Sequence, residues 1–275
     1  MKYAVSVSLG GSGRDQRVET NLLGHPIVLE RIGADGDQAR ARQLFLDLDD
    51  QADAFGVGGA DLGVQVADQY YPLNSIQKLV EGLRTPTVDG GVVRRVLERN
   101  MVQRLHDLLP MDIQPRRVFV CAGVARYDLA ESFEQAGYEA IYGDLGFGLG
   151  VPIPMRSLKT LRIMARLLMP IMRRLPFEWL YPTGEGQDEI KPRFEKWYNW
   201  ATVIADDFHY IKQHMPDVST ARSSSPTPPP SRTSSCWPTA VWPMSAPRPL
   251  GWKGAPLAPT CSRLRSPRLQ ARGVR

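Results

Sequence analysis

Short β-branched runs that stop at glycine, at an acid or at both constrain this chain more than any other feature. Tyr3–Leu9 runs into Gly10-Gly11-Ser12-Gly13-Arg14-Asp15, and Ala54–Val57 into Gly58-Gly59-Ala60-Asp61. Pro86–Val88 meets Asp89-Gly90-Gly91, Glu139–Tyr142 meets Gly143-Asp144, and Thr202–Ala205 meets Asp206-Asp207. A sixth run, Arg117–Ala122, leads to Gly123. Between them lie helical patterns over Asp37–Gln51, Gly91–Leu108 and Arg126–Ala136, with Leu44 and Leu48 marking one face of the first. Strand and helix in alternation read as a parallel α/β sheet. In such sheets ligands bind at the carboxyl ends of strands. Tight βα turns also need glycine, and helices an Asp cap, for purely structural reasons.

Two stretches sit beside this alternation. Val18–Leu23 and Ile27–Ile32 flank Gly24-His25-Pro26 and predict a hairpin. Met155–Leu175 places Leu158, Leu161, Ala165, Leu168 and Met172 at helical spacing, with Arg156, Lys159, Arg162, Arg166, Arg173 and Arg174 as a basic side and Pro170 as a kink. That pattern suits a helix packed on the sheet with a solvated face. It also suits a helix on a membrane surface or over an anionic substrate. No run approaches 18 uncharged apolar residues, so no membrane span is expected. The opening MKYAVSVSLGG reads as a strand and not as a secretory leader, which points to the cytoplasm.

Charge divides the chain. The net charge of +5 comes from the end: residues 221–275 hold eight Arg, one Lys and no acid, Asp217 being the last acidic residue. The first 220 residues carry 25 basic against 29 acidic groups, so nucleic acid is an expected partner only through the tail. Eleven Pro and nine Ser among residues 221–275, with Ile, Phe and Tyr absent, leave the 219–275 tail too little apolar surface to fold, and disorder is expected there. A shifted reading frame is the other reading. Joining each codon's last base to the next two turns Ser223–Pro230 into a strand-like run before a Thr-Asn-Thr-like turn. It also makes Trp252–Cys261 compatible with Leu-Glu-Gly-Arg-Ser-Phe-Gly-Thr-Asn-Val.

The dinucleotide candidate is Val118–Asp128 followed by Tyr138–Asp144: strand, glycine turn, helix, strand, and an acid 21 residues after Gly123. In a Rossmann unit such a turn faces pyrophosphate and the acid takes a ribose hydroxyl. Gly123, Arg126 and Asp144 would hold NAD or NADP, with Ala125 standing where a second glycine is usual. An ordinary βαβ unit fits equally. The densest ionisable cluster is Asp206-Asp207-Phe208-His209-Tyr210, in which Asp206, Asp207 and His209 are the candidates for moving a proton. The polar loop Tyr181–Gln187 could close over a ligand, with Lys191 beyond it to polarise a substrate. The four His show no HExxH and the three Cys no zinc spacing, so no metal is expected; Cys121 reads as a small buried hydrophobe. A GxSxG elbow and a Walker lysine motif are absent.

The segments VSVSLGGSGRDQRVE, LERIGADGD, DAFGVGGADL, TPTVDGG, GDLGFGLGVPIPMRSL, LPFEWLYPTGEGQ, EIKPRFEKW and ADDFHYI, spread over about residues 1–217, resemble bacterial proteins labelled quinate 5-dehydrogenase. Members of that group continue with a strand, Thr-Asn-Thr and a late Gly-Thr-Asn, the features that the shifted frame recovers. The resemblance implies NAD(P)-linked oxidation of a ring hydroxyl on quinate or shikimate. The Asn-x-Thr-x-Pro-x-Lys and Gly-Ala-Gly-Gly-Ala segments of shikimate dehydrogenases are not present, so their catalytic residues are not carried over.

The expected fold is therefore a doubly wound, Rossmann-like parallel sheet over residues 1–218, with a helical capping insertion at about 145–200. The expected function is an NAD(P)-dependent oxidoreductase acting on a small polyhydroxylated carboxylic acid. The alternative is a non-catalytic α/β protein that senses an anionic metabolite.

Overall fold

The computed structural model describes residues 1–108, 113–176, 190–216 and 239–243. The loop Tyr181–Gln187 and most of the 219–275 tail lie outside the described residues.

The chain is mixed α/β, but its strands divide between two main sheets where one was expected. Strand β1 (Lys2–Ser8) is the middle of the first. A hairpin of β2 (Gln16–Leu22) and β3 (His25–Gly33) follows, and β3 lies parallel beside β1, pairing Val5 with Glu30. Helix α1 (Gln38–Leu48) then carries the chain across to β4 (Ala54–Gly58), parallel to β1 on its other side, and β7 (Thr87–Val88) closes the order β2-β3-β1-β4-β7. Asp37 caps α1 by accepting the Arg40 amide at 3.0 Å, and Ala41 and Phe45 form its buried stripe. Between β4 and β7 lie a small hairpin, β5 (Gly63–Val66) with β6 (Gln69–Pro72), and helix α2 (Asn74–Val80). None of these three elements was expected from the sequence: the strands are four residues long and the helix seven, too short for a period to show.

The second sheet is centred on β8 (Arg117–Val120). Helix α5 (Tyr127–Gln135) links it to β9 (Glu139–Tyr142), parallel on one side, and β10 (Val203–Asp207) lies parallel on the other. Within the tail, strand β11 (Thr239–Pro243) pairs antiparallel with β10.

The expected helix over 91–108 is two, α3 (Gly91–Arg99) and α4 (Met101–Leu108), separated at Asn100. The stretch expected as a cap is the crossover from β9 to β10. It carries α6 (Asp144–Leu149), α7 (Leu158–Met172, with Pro170 inside) and α8 (Glu195–Trp200); α9 (Phe208–His214) follows β10.

One apolar core joins the halves: Val5, Phe45 and Phe55 belong to the same cluster as Val118, Leu129, Phe133 and Leu161. The outer face of the second sheet has its own cluster, where Phe119 meets Trp197 and Tyr198 edge-on with centroids 5.7 and 4.9 Å apart. Nothing in side-chain period tells which strands are neighbours. Residue alternation fixes only the face a residue occupies, and this is why one sheet read as well as two.

Candidate site where beta8 and beta10 diverge

The second sheet reverses direction of growth at β8: the chain goes from β8 to β9 on one side, then returns to β10 on the other. The carboxyl ends of β8 and β10 thus flank a topological switch point. Gly123 follows β8 here because nothing larger fits. A Cβ would lie 2.8 Å from Tyr142 Cδ1 and 3.1 Å from Leu161 Cδ2.

Three consecutive amides of this turn are claimed by two of the chain's own carboxyls. Ala122 N–H donates to Asp206 Oδ2 at 2.5 Å. Gly123 and Val124 donate to Asp144 Oδ2 and Oδ1 at 2.9 and 2.8 Å. Asp206 also accepts the Asp207 amide at 2.7 Å. Burial pushes Asp144 up to about 7 against the pull of those two amides, and the nearby Asp206 adds to the rise. Burial likewise raises Asp206, to about 6, with the Arg126 guanidinium and two amides restraining it. Both acids therefore change charge near neutral pH. The turn itself reaches the surface at the exposed Ala125.

Behind the turn runs a chain of ion pairs. Arg126 donates to the buried Glu98 at 3.0 Å and reaches Asp207 at 3.4 Å. Glu98 also faces Arg94 at 3.8 Å, and Arg94 pairs with Asp61 at 2.8 Å, beyond β4 of the first sheet. Beside them Asp128 takes Arg95 and Arg99 at 2.9 and 2.6 Å. Helix α3 thus ties the carboxyl edge of one sheet to that of the other. Burial raises the Glu98 carboxyl, and Arg126 and Arg94 offset it. Sequence reasoning missed Glu98, Asp128 and Arg94. The one available signal was an acid among three arginines in a helical pattern whose inward face was otherwise short of apolar residues.

Of the residues expected to act, Gly123, Arg126, Asp144, Asp206 and Asp207 do converge. Asp206 is buried and spends its oxygens on amides, so Asp207, part-exposed, is the acid at the rim. The His209 side chain lies outside the described residues, although its main chain lies in the first turn of α9. Lys191 is exposed, and its backbone pairs with Gln213 at 2.7 Å and with the His214 ring at 3.1 Å. That is the carboxyl end of α9, a helix length from Asp206. Cys121 is buried, its sulfur 3.7 Å from the Tyr198 hydroxyl, and burial raises its thiol well above the usual range.

In this arrangement these residues do not fit a dinucleotide. The amides a pyrophosphate would need already serve Asp144 and Asp206. The acid meant for a ribose hydroxyl holds the turn, and Arg126 is enclosed and paired on two sides. Among the described residues, no group of three or more His, Cys, Asp or Glu gathers in a way that would hold a metal ion. No helix among them is long and apolar enough to cross a membrane.

In the first sheet Gly33 and Gly58 serve close packing. A Cβ on Gly33 would lie 2.6 Å from Ser12 N, and reciprocal carboxylates lace the two loops together. Asp15 accepts the Gly33 amide at 2.7 Å, and Asp35 accepts the Ser12 amide at 2.6 Å.

Comparison with known proteins follows the same division. Residues 3–89 match the family described as Domain of unknown function (DUF8753), and residues 92–218 match Domain of unknown function (DUF8754). The first match spans the first sheet, and the second begins at α3 and ends one residue beyond the last acid, Asp217. No curated protein and no solved structure matches the chain.

Proposed function

We propose that the chain binds a small polyhydroxylated carboxylic acid at the switch point of the second sheet, as a ligand-responsive α/β protein, by exchanging an internal carboxylate for an external one. The observation that carries this reading is the capture of the Gly123 and Val124 amides by Asp144. Successive backbone N–H groups in a turn form a nest for an anion. Here the nest holds the chain's own anion, so a ligand carboxylate enters by displacing it. The displaced Asp144 then faces a like charge, which raises a pKa already near 7 still further, and it takes up a proton. Binding above neutral pH is therefore coupled to proton uptake, and affinity falls as pH rises through 7. Asp207 at the rim is placed to accept a ligand hydroxyl.

The test is calorimetric titration of quinate and of shikimate in two buffers of different ionisation enthalpy. Net uptake of close to one proton at pH 8 and of none at pH 5 is the expected result. Asp144→Asn, which keeps an acceptor but removes the internal charge, should bind roughly tenfold tighter at pH 8 and lose the pH dependence. Unchanged affinity in that variant would overturn the reading.

A second reading is the NAD(P)-dependent oxidation that the sequence resemblance implies. What favours it is the part-exposed Asp207 at the carboxyl end of β10, an acid able to exchange a proton with a hydroxyl there; a dinucleotide enters only once Asp144 has released the Gly123 and Val124 amides. Absorbance at 340 nm with quinate or shikimate and either nicotinamide cofactor separates the two readings. Turnover lost in Asp207→Asn supports oxidation, and binding without any absorbance change supports the first.

A further inference from the structure

Helix α7 has a second apolar face that the fold does not use. Its inner face is spent on the core: Leu161, Ala165 and Met169 are buried, with Leu158, Met164 and Met172 packed beside them. On the opposite side Ile163, Leu167 and Ile171 follow one another at four-residue spacing, 48%, 63% and 64% exposed. Four-residue spacing sets side chains one above another on a helix, so these three form a single outward ridge.

Alongside it runs a second row, Arg162, Arg166, Pro170 and Arg174, and Lys159 sits at the head of the ridge. Between Ser157 and Leu175 there is no acidic residue. Arg162 is occupied by Tyr127 and by Glu131, the latter at 3.3 Å, and Arg156 by Glu139, also at 3.3 Å. Among the described residues, Lys159, Arg166 and Arg174 pair with no carboxylate.

We infer that this face of α7 docks the protein on an anionic lipid surface, with Ile163, Leu167 and Ile171 entering the headgroup boundary while Lys159, Arg166 and Arg174 meet phosphates. An outward row of large aliphatics is costly in water, and single exposed apolar residues are common where aligned ones are not. An aliphatic ridge whose charged neighbours on the helix are all cations is complementary to a surface that is apolar just below a negative layer. The 15-residue helix lies along the protein, held by its buried face, so it offers the ridge lengthwise and does not span. This inference is independent of the site between β8 and β10.

Co-sedimentation of the full chain with vesicles of phosphatidylcholine alone, and with a third phosphatidylserine, tests it. The chain should pellet with the anionic vesicles and stay in solution with the neutral ones. Leu167→Glu, at an exposed position that leaves the thermal midpoint unchanged, should reduce the bound fraction about tenfold. Arg166→Glu should reduce it less, and added salt should weaken binding in all three proteins.

Equal pelleting with both vesicle types, or none with either, overturns the inference. So does salt-sensitive binding that Leu167→Glu leaves intact, which would assign attachment to the basic tail. A dimer in solution that Leu167→Glu dissociates, without vesicle binding, assigns the face to a second copy of the chain and also overturns it.

Discussion

Both halves of the molecule fasten loops by letting aspartates accept backbone amides, yet the acids behave oppositely. In the first half Asp35 takes the Ser12 amide, Asp49 those of Arg84 and Thr85, and Asp53 that of Tyr3. These carboxyls lie near the surface and are held below their ordinary range: Asp35 chiefly by the Ser12 amide, Asp49 by the Arg84 amide, Asp53 by the Lys2 ammonium. In the second half Asp144 and Asp206 do the same work with enclosed carboxyls, and burial drives them up to about 7 and 6. The amide hydrogen bonds are of similar length, with one or two amides per carboxyl in the first half and two in the second. Solvation decides the sign.

Opposite signs give the halves opposite pH windows. A carboxyl depressed on folding contributes stability above its unfolded value, and loses it as pH falls through its lower folded value. Asp35, Asp49 and Asp53 thus support the first half at neutral pH and fail below about pH 4. A carboxyl raised on folding binds its proton more tightly in the native state, so its contribution is full below the unfolded value. Asp144 and Asp206 therefore take stability away as pH climbs from about 4 toward 7.

The severest break in this scheme is Arg126→Met. It strips the buried Glu98 of its 3.0 Å partner and Asp206 of its main restraining charge. Leaving a buried charge unpaired costs about 3–5 kcal/mol, to be read from urea unfolding, and a loss under about 1 kcal/mol would contradict the ion-pair chain. Asp144→Asn comes next: it should flatten the fall in stability between pH 4 and 7 by an amount on the order of a few kcal/mol, measured as the pH dependence of the unfolding midpoint. Gly123→Ala follows, because its Cβ would press on Tyr142 and Leu161 and overpacking of this kind costs about 1–3 kcal/mol. The mildest is Asp35→Asn. It should be silent at pH 7 apart from a small loss of stability, and should shift only the acid limb of the unfolding curve; a change in the pH 4–7 range would contradict the division between halves.

Much of the strand pattern was legible in the sequence because β-branched runs ending in glycine leave few alternatives. Glu139–Tyr142 is a strand to the residue, and the expected Ala54–Val57 extends by only Gly58. The pairing of strands was not legible, since Val118 on β8 reads the same whether its neighbour is β10 or β7. The convergence of Gly123, Arg126, Asp144, Asp206 and Asp207 was legible as residue types at strand ends. What they do with one another was not: Asp144 as a ribose acid and Asp144 as the clasp of its own turn have the same sequence. Lys191 shows the limit of proximity along the chain, since its backbone joins α9 at the end remote from Asp206.

The most direct test of the account is the titration of the Asp144 carboxyl, followed by carbon-13 NMR on aspartate-labelled protein with Asp144→Asn to assign the signal. The account predicts a midpoint near 7, coupled to a second step near 6 from Asp206. Midpoints below 4 for both would contradict it: the turn amides would then bind fully ionised, solvated acids, like those of the first half, and no charge would be poised for exchange.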